Sequence, residues 1–234
     1  MLVLVLYFLI SMIPAALLLL WLLKQKNMPE DYTENCKNSF KAGLFSTLLV
    51  IAMSGTLVVL GLLVRFRNDY PIAWQAYYKF IAIAFAEELC KYLAFRHVVK
   101  EHNYSWLEYT IYMVFVGTGF EVLESIVYAF TTNPIQMLVR GVTMMHAAFA
   151  YVMGYYYGKS QYTGKKGWFI LGFFISWMLH GWYDFTLSDE LIALNDNWVF
   201  VPVTIALASI VLIIAFIIFV RKRRNTEMYI TREY

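Results

Sequence analysis

The chain carries too little charge to be an ordinary soluble domain. Only 15% of its 234 residues are Asp, Glu, Lys or Arg, against 61% hydrophobic residues and a mean hydropathy of +0.58. That leaves too little polar surface to cover a folded globule in water. Cysteine is equally scarce. Cys36 and Cys90 form neither a C-x-x-C pair nor any zinc-ribbon spacing, which excludes a cysteine-built metal site and leaves no redox message. The alternation of a membrane β-barrel is missing too, replaced by uninterrupted apolar runs of about 20 residues, the length that spans a bilayer as a helix. The reading is therefore all-α: a polytopic membrane helical bundle, one domain over residues 1–234, with lipid as its first partner and nothing that points to nucleic acid.

Seven spans are expected. They cover residues 2–23, with a kink at Pro14, then 42–64, 71–95, about 109–130, 134–158, 168–187 and about 198–220. No basic residue precedes Lys24 and no small-residue cleavage site follows the first run, so that run is expected to stay as an anchor. Lys24 to Lys41 is expected to be a polar loop, and Asp189 to Asp196 an acidic one. With the N-terminus outside, the inner segments hold Lys24, Lys26, Lys37, Lys41, Arg96, Lys100, Lys159, Lys165, Lys166 and the Arg221-Lys222-Arg223-Arg224 cluster. The outer segments hold only Arg65 and Arg67. This bias predicts a cytoplasmic C-terminus.

Against that apolar background the few charges inside the runs stand out. Ala86-Glu87-Glu88-Leu89-Cys90-Lys91 places two carboxylates and an ammonium in the third span, and the fourth holds Glu121 and Glu124. The fifth has Arg140 and His146, and the sixth Ser176, His180 and Asp184. An ionised group at mid-bilayer costs about 2.5–3.5 kcal/mol on insertion scales, so each must face protein or a wet cavity. At 1.5 Å per residue, Glu88, Glu124, His146 and His180 fall within one central slab about 10 Å thick.

These residue types suit hydrolysis. Lys91 lies three and four residues from Glu88 and Glu87, close enough on a helix to neutralise either, and His180 lies four from Asp184. A carboxylate on one imidazole nitrogen sets the tautomer and frees the other nitrogen to work. Two glutamates and two histidines around one water could activate it for attack on a peptide carbonyl, with an imidazole steadying the oxyanion. No cofactor is required by that scheme. A divalent metal such as Zn2+, held by Glu88, Glu124, His146 and His180, is an open alternative.

In this order and spacing, Glu87-Glu88-x-x-Lys91, Phe120-x-x-x-Glu124, His146 with Met153-Gly154-x-Tyr156-x-Gly158, and His180-Gly181-x-Tyr183-Asp184-Phe185 resemble the four motifs of the PrsW family of bacterial intramembrane proteases. The resemblance covers about residues 70–220. That family is similar in turn to the CAAX prenyl endopeptidases, with their glutamate-pair, FxxxH and HxxxN/D motifs. The resemblance implies a glutamate-activated water, with Glu87, Glu88, Glu124, His146, His180 and Asp184 catalytic and Lys91 and Glu121 supporting. Ser125 and Ala150 depart from the residues common in the family, and Glu121 is an extra carboxylate. The resemblance further implies a single-span membrane substrate such as an anti-sigma factor, cut on the outer side as the first step of a stress response.

Other readings are kept. The sequence has no HExxH and no GxGD, since Gly117-Thr118-Gly119 runs into Phe120, and no rhomboid-like sequence surrounds Ser176. The Glu–Lys cluster could be a structural ion pair, and the remaining polar groups a satisfied core. A transporter or proton-coupled channel would also place Glu, His and Asp at mid-membrane, yet no internal repeat is evident. His97 and His102 are expected on the solvated surface, and Lys79 and Arg140 to snorkel or pair.

Overall fold

The computed structural model describes residues 2–26, 28–63, 70–100, 103–129, 134–188, 191 and 200–230. Arg65, Arg67, His102, Asp189, Glu190 and Asp196 lie outside them. Among the described residues there is no strand, and the apolar runs are helices. They are α1 (Leu2–Ser11), α2 (Ile13–Leu23), α3 (Tyr32–Leu63) and α4 (Pro71–Ala76), which continues through a π-helix at Tyr77–Phe85 into α5 (Ala86–Val99). After these come α6 (Trp106–Tyr128), α7 (Pro134–Thr143), α8 (Met145–Thr163), α9 (Gly167–Thr186) and α10 (Phe200–Ile230).

Among the described residues, four helical stretches are long and apolar enough to cross a membrane: Tyr32–Leu62, Trp106–Tyr128, Met137–Thr163 and Phe200–Arg223. A fifth is the pair Val5–Ser11 and Ile13–Leu23, bent by 40°. The bend lies at Met12, two residues before Pro14, which occupies the first turn of α2. Proline lacks the N–H for an upstream carbonyl, so the break falls ahead of it. The π-interrupted run from Pro71 and helix α9 are not among the five. The first carries Lys79, Glu87, Glu88 and Lys91, and polar His180 and Asp184 together with tryptophans dilute the second.

The polar segment before the second span is not all loop, as the sequence suggested: helix already begins at Tyr32. Tyr32, Cys36, Ser39, Gly43, Ser46 and Val50 are buried at spacings of three and four. That stripe continues one apolar face beyond the purely hydrophobic run, and it packs on α6.

Helix α6 is the centre of the bundle. Leu107 to Glu121 is buried without a break, as expected for a helix flanked on two sides by others. A capping box starts it, with the Ser105 hydroxyl accepting from the Glu108 N–H and the Glu108 carboxylate from the Ser105 N–H. Its glycines admit the two neighbours. A Cβ on Gly119 would sit 2.2 Å from the Phe40 carbonyl oxygen of α3, and one on Gly117 would sit 2.6 Å from the His146 carbonyl oxygen of α8. Small residues of this kind let helix backbones approach where water does not drive association.

Helix α9 packs against the π-helix in the same manner. A Cβ on Gly181 would lie 2.3 Å from the Phe80 ring, and Trp177, one turn earlier, donates its indole N–H to the Phe80 carbonyl at 2.6 Å. His180 is adjacent to this contact and is thereby brought over the start of α5.

Candidate active site

The buried charges converge. Lys91, with no exposed surface, donates to Glu88 Oε1 at 2.8 Å and lies 3.6 Å from Glu87 Oε2. Its Nζ is also 2.8 Å from His146 Nδ1. An ammonium has no lone pair, so Nδ1 must be the acceptor and Nε2 carries the proton. That proton points at Glu124 Oε2, 2.6 Å away, and Arg140 Nη2 reaches the same oxygen at 2.6 Å. On the other side His180 Nδ1 lies 2.9 Å from Glu88 Oε1. The result is an unbroken line, Arg140–Glu124–His146–Lys91–Glu88–His180, drawn from α7, α6, α8, α5 and α9. Phe120 closes it, its ring centroid 4.1 Å from the Lys91 ammonium. The phenylalanine of the Phe120-x-x-x-Glu124 pattern thus shields the buried cation that its glutamate helps to neutralise.

Three expectations change in detail. Asp184 is not the hydrogen-bond partner of His180: its Oδ2 is 3.7 Å from Nε2, and Glu88 holds Nδ1 instead. Helical spacing brings Asp184 near, but the carboxylate arriving from α5 comes closer. Lys91, expected beside the two glutamates, also reaches His146 and is the hub of the network. The donor atoms that group as a metal site are those of Glu87, His146 and His180, all within 4.8 Å of one another. Two of the expected four, His146 and His180, are in this set, with Glu87 in place of Glu88 and Glu124. Glu121 is buried near the line without joining it, and its Oε2 has no hydrogen-bond partner.

The line also uses Arg140, which the sequence left outside the catalytic set. It pairs with Glu124, and the signal available for it was an arginine six residues before His146 in an apolar run. Ser176 is tied elsewhere, donating to the Phe149 carbonyl at 2.9 Å. His97 is exposed, as expected.

Two carboxylate oxygens at the centre, Glu87 Oε2 and Glu88 Oε2, are buried without a hydrogen-bond partner among the described residues. Such atoms are costly unless something else completes them. Glu87 Oε2 lies 3.7 Å from His180 Nε2, a pair of acceptors suited to a water or a cation. The donor set of two imidazoles and one carboxylate is that of a catalytic zinc site. Glu87 Oε2 has no hydrogen-bond partner among the described residues to displace, whereas His146 would exchange Lys91 or Glu124 for the ion. The residues present therefore fit a divalent metal.

Comparisons with known proteins agree with this chemistry. The family model described as PrsW family intramembrane metalloprotease matches residues 38–219. The chain is 26% identical over 195 residues to a protein named Protease PrsW from Clostridioides difficile, covering 78% of this chain and 79% of that one. It is 31% identical over 159 residues to Protease PrsW of Shouchella clausii, covering 64% and 73%. For Protease PrsW of Geobacillus kaustophilus the figures are 28% over 160 residues, 64% and 71%. No solved structure matches.

Proposed function

This chain belongs to the PrsW family and is an intramembrane protease, and we propose that it cuts a single-span membrane protein, such as an anti-sigma factor, with a water activated by glutamate. The observation that carries the mechanism is the buried line of hydrogen bonds ending on Glu88 and His180. Glu88 is the proton acceptor. Lys91 and His180 fix its Oε1, and its partnerless Oε2 takes the proton as the water oxygen attacks the scissile carbonyl carbon. The same carboxyl then gives that proton to the leaving amine. His180 donates its Nδ1–H to Glu88, and in its imidazolium form the Nε2–H is the donor that steadies the negative charge on the carbonyl oxygen. Glu124 and Arg140 fix the tautomer and angle of His146, and Asp184 borders the site beside His180.

A divalent metal, which the family description implies, would be held by Glu87, His146 and His180. When bound it supplies Lewis-acid polarisation of the water and the carbonyl. We place the enzyme in the bacterial plasma membrane as a multi-pass protein of seven spans, N-terminus outside and C-terminus cytoplasmic. The π-interrupted run from Pro71 and helix α9 are the remaining two of these spans, and both turn polar residues to the site.

Co-expression with an epitope-tagged single-span substrate tests the assignment. Wild type yields a shortened product, whereas Glu88→Gln, Glu124→Gln and His180→Ala at equal protein levels yield none. Undiminished cleavage by all three overturns it.

A further inference from the structure

Helices α7 and α8 are parts of one apolar stretch, Met137–Thr163, and the break between them is a single residue. Met144 has φ 44° and ψ 47°, the left-handed conformation, and among the described residues it is the one non-glycine with positive φ. An unbranched L side chain is strained there, and glycine is the residue that adopts this conformation without steric cost. No glycine occupies the break, so the surrounding structure must hold it.

The consequence appears on Glu124. In a continuous α-helix, positions 140 and 146 are rotated by about 120° and separated by about 9 Å along the axis. Side chains so placed do not meet on one atom. Here Arg140 Nη2 and His146 Nε2 both lie 2.6 Å from Glu124 Oε2. Regular bonding resumes on both sides, with the Met144 N–H donating to the Arg140 carbonyl and the Ala148 N–H to the Met144 carbonyl. The left-handed residue therefore re-aims the chain without unravelling it. The first segment is held independently: a Cβ on Gly141 would lie 2.0 Å from the Ser11 carbonyl oxygen, so α7 rests directly on the end of α1.

We propose that Met144 is a positioning residue whose left-handed backbone lets Arg140 and His146 clamp one oxygen of Glu124, and so sets the angle of His146 in the active site. This rests on the placement of Glu124 and His146 in the catalytic site. The test uses the full chain purified in detergent, with Met144→Gly, Met144→Ala and Met144→Val. Thermal melting and cleavage kinetics are measured on each.

The expected order follows the ease of a left-handed backbone, not helix propensity. Glycine keeps kcat within about threefold of wild type and does not lower Tm, since it takes the left-handed form freely. Alanine, an unbranched L residue like methionine, falls between glycine and valine, and valine lowers kcat about tenfold or more with KM within about threefold, as for loss of alignment and not of binding. In an Arg140→Gln background the valine change has less than about a twofold further effect on kcat and lowers Tm by less than it does alone, because the clamp is already open. Alanine equal to or better than glycine in both Tm and kcat overturns the proposal, as does full additivity with Arg140→Gln. Should cleavage prove independent of Glu88, the Tm order and its non-additivity still decide the role of Met144, and the failure then belongs to the catalytic reading.

Discussion

Lys91 shows how one residue gathers a site. Its ammonium is fully buried and contacts Glu88, His146 and the face of Phe120. Removing one partner of a buried ion pair leaves the other charged and desolvated, which typically costs about 3–5 kcal/mol. Lys91→Met is therefore expected to lower thermal stability steeply, and a melting shift typical of a surface pair would contradict the network. The two glutamates are separable by metal content. Glu87→Gln is expected to reduce the zinc retained by the purified protein, since Glu87 supplies a donor oxygen of the proposed set, whereas Glu88→Gln retains zinc and loses cleavage. Chelation is expected to stop cleavage and added zinc to restore it; a rate unchanged by thorough chelation removes the metal from the scheme.

At the scale of the element, backbone approach decides which helices meet. Helix α6 lies against α3 with no room for a side chain at Gly119, because the obstructing atom is the Phe40 carbonyl oxygen. A carbonyl in a helix cannot step aside as a flexible side chain can. Gly119→Val is expected to abolish accumulation of folded protein in the membrane. Gly55, on the same α3, is the control: nothing lies within 4 Å of an added Cβ. Gly55→Ala should stabilise the protein by about 0.5–1 kcal/mol through helix propensity, measured by thermal melting. The π-helix is a second device at this scale. Its wider turn presents the Phe80 carbonyl to the Trp177 indole, and π turns recur at functional sites. Here the turn ends at Phe85 and sets the rotation of α5, whose first turn carries Glu87 and Glu88. Trp177→Phe removes the donor and keeps most of the ring, so the expected loss is about 1 kcal/mol of stability, accompanied by a lower kcat.

For the whole molecule, the distribution of basic residues makes a topological prediction. Lys159, Lys165, Lys166 and the cluster from Arg221 fall on the inner side in the proposed seven-span arrangement, so a C-terminal reporter should be cytoplasmic and an N-terminal one external. A C-terminal tag labelled in intact cells by a membrane-impermeant reagent would reverse it.

Composition and hydropathy alone pointed to a helical membrane protein, and the odd charges in apolar runs singled out Glu88, Lys91, Glu124, His146 and His180, which the fold brings into one hydrogen-bonded line. They could do so because burial of charge in a bilayer is costly wherever it occurs, so its presence is visible one residue at a time. The motif spacing pointed to the family for the same reason. Pairing across helices was another matter. That Glu88 and not Asp184 holds His180, that Lys91 bridges to His146, and that Arg140 reaches Glu124 depend on how each helix is rotated about its axis. Those rotations are set by the π turn before Glu87, the left-handed residue at Met144 and the glycine contacts of α6. Each such break is held by partners distant in sequence, and local periodicity carries no record of them.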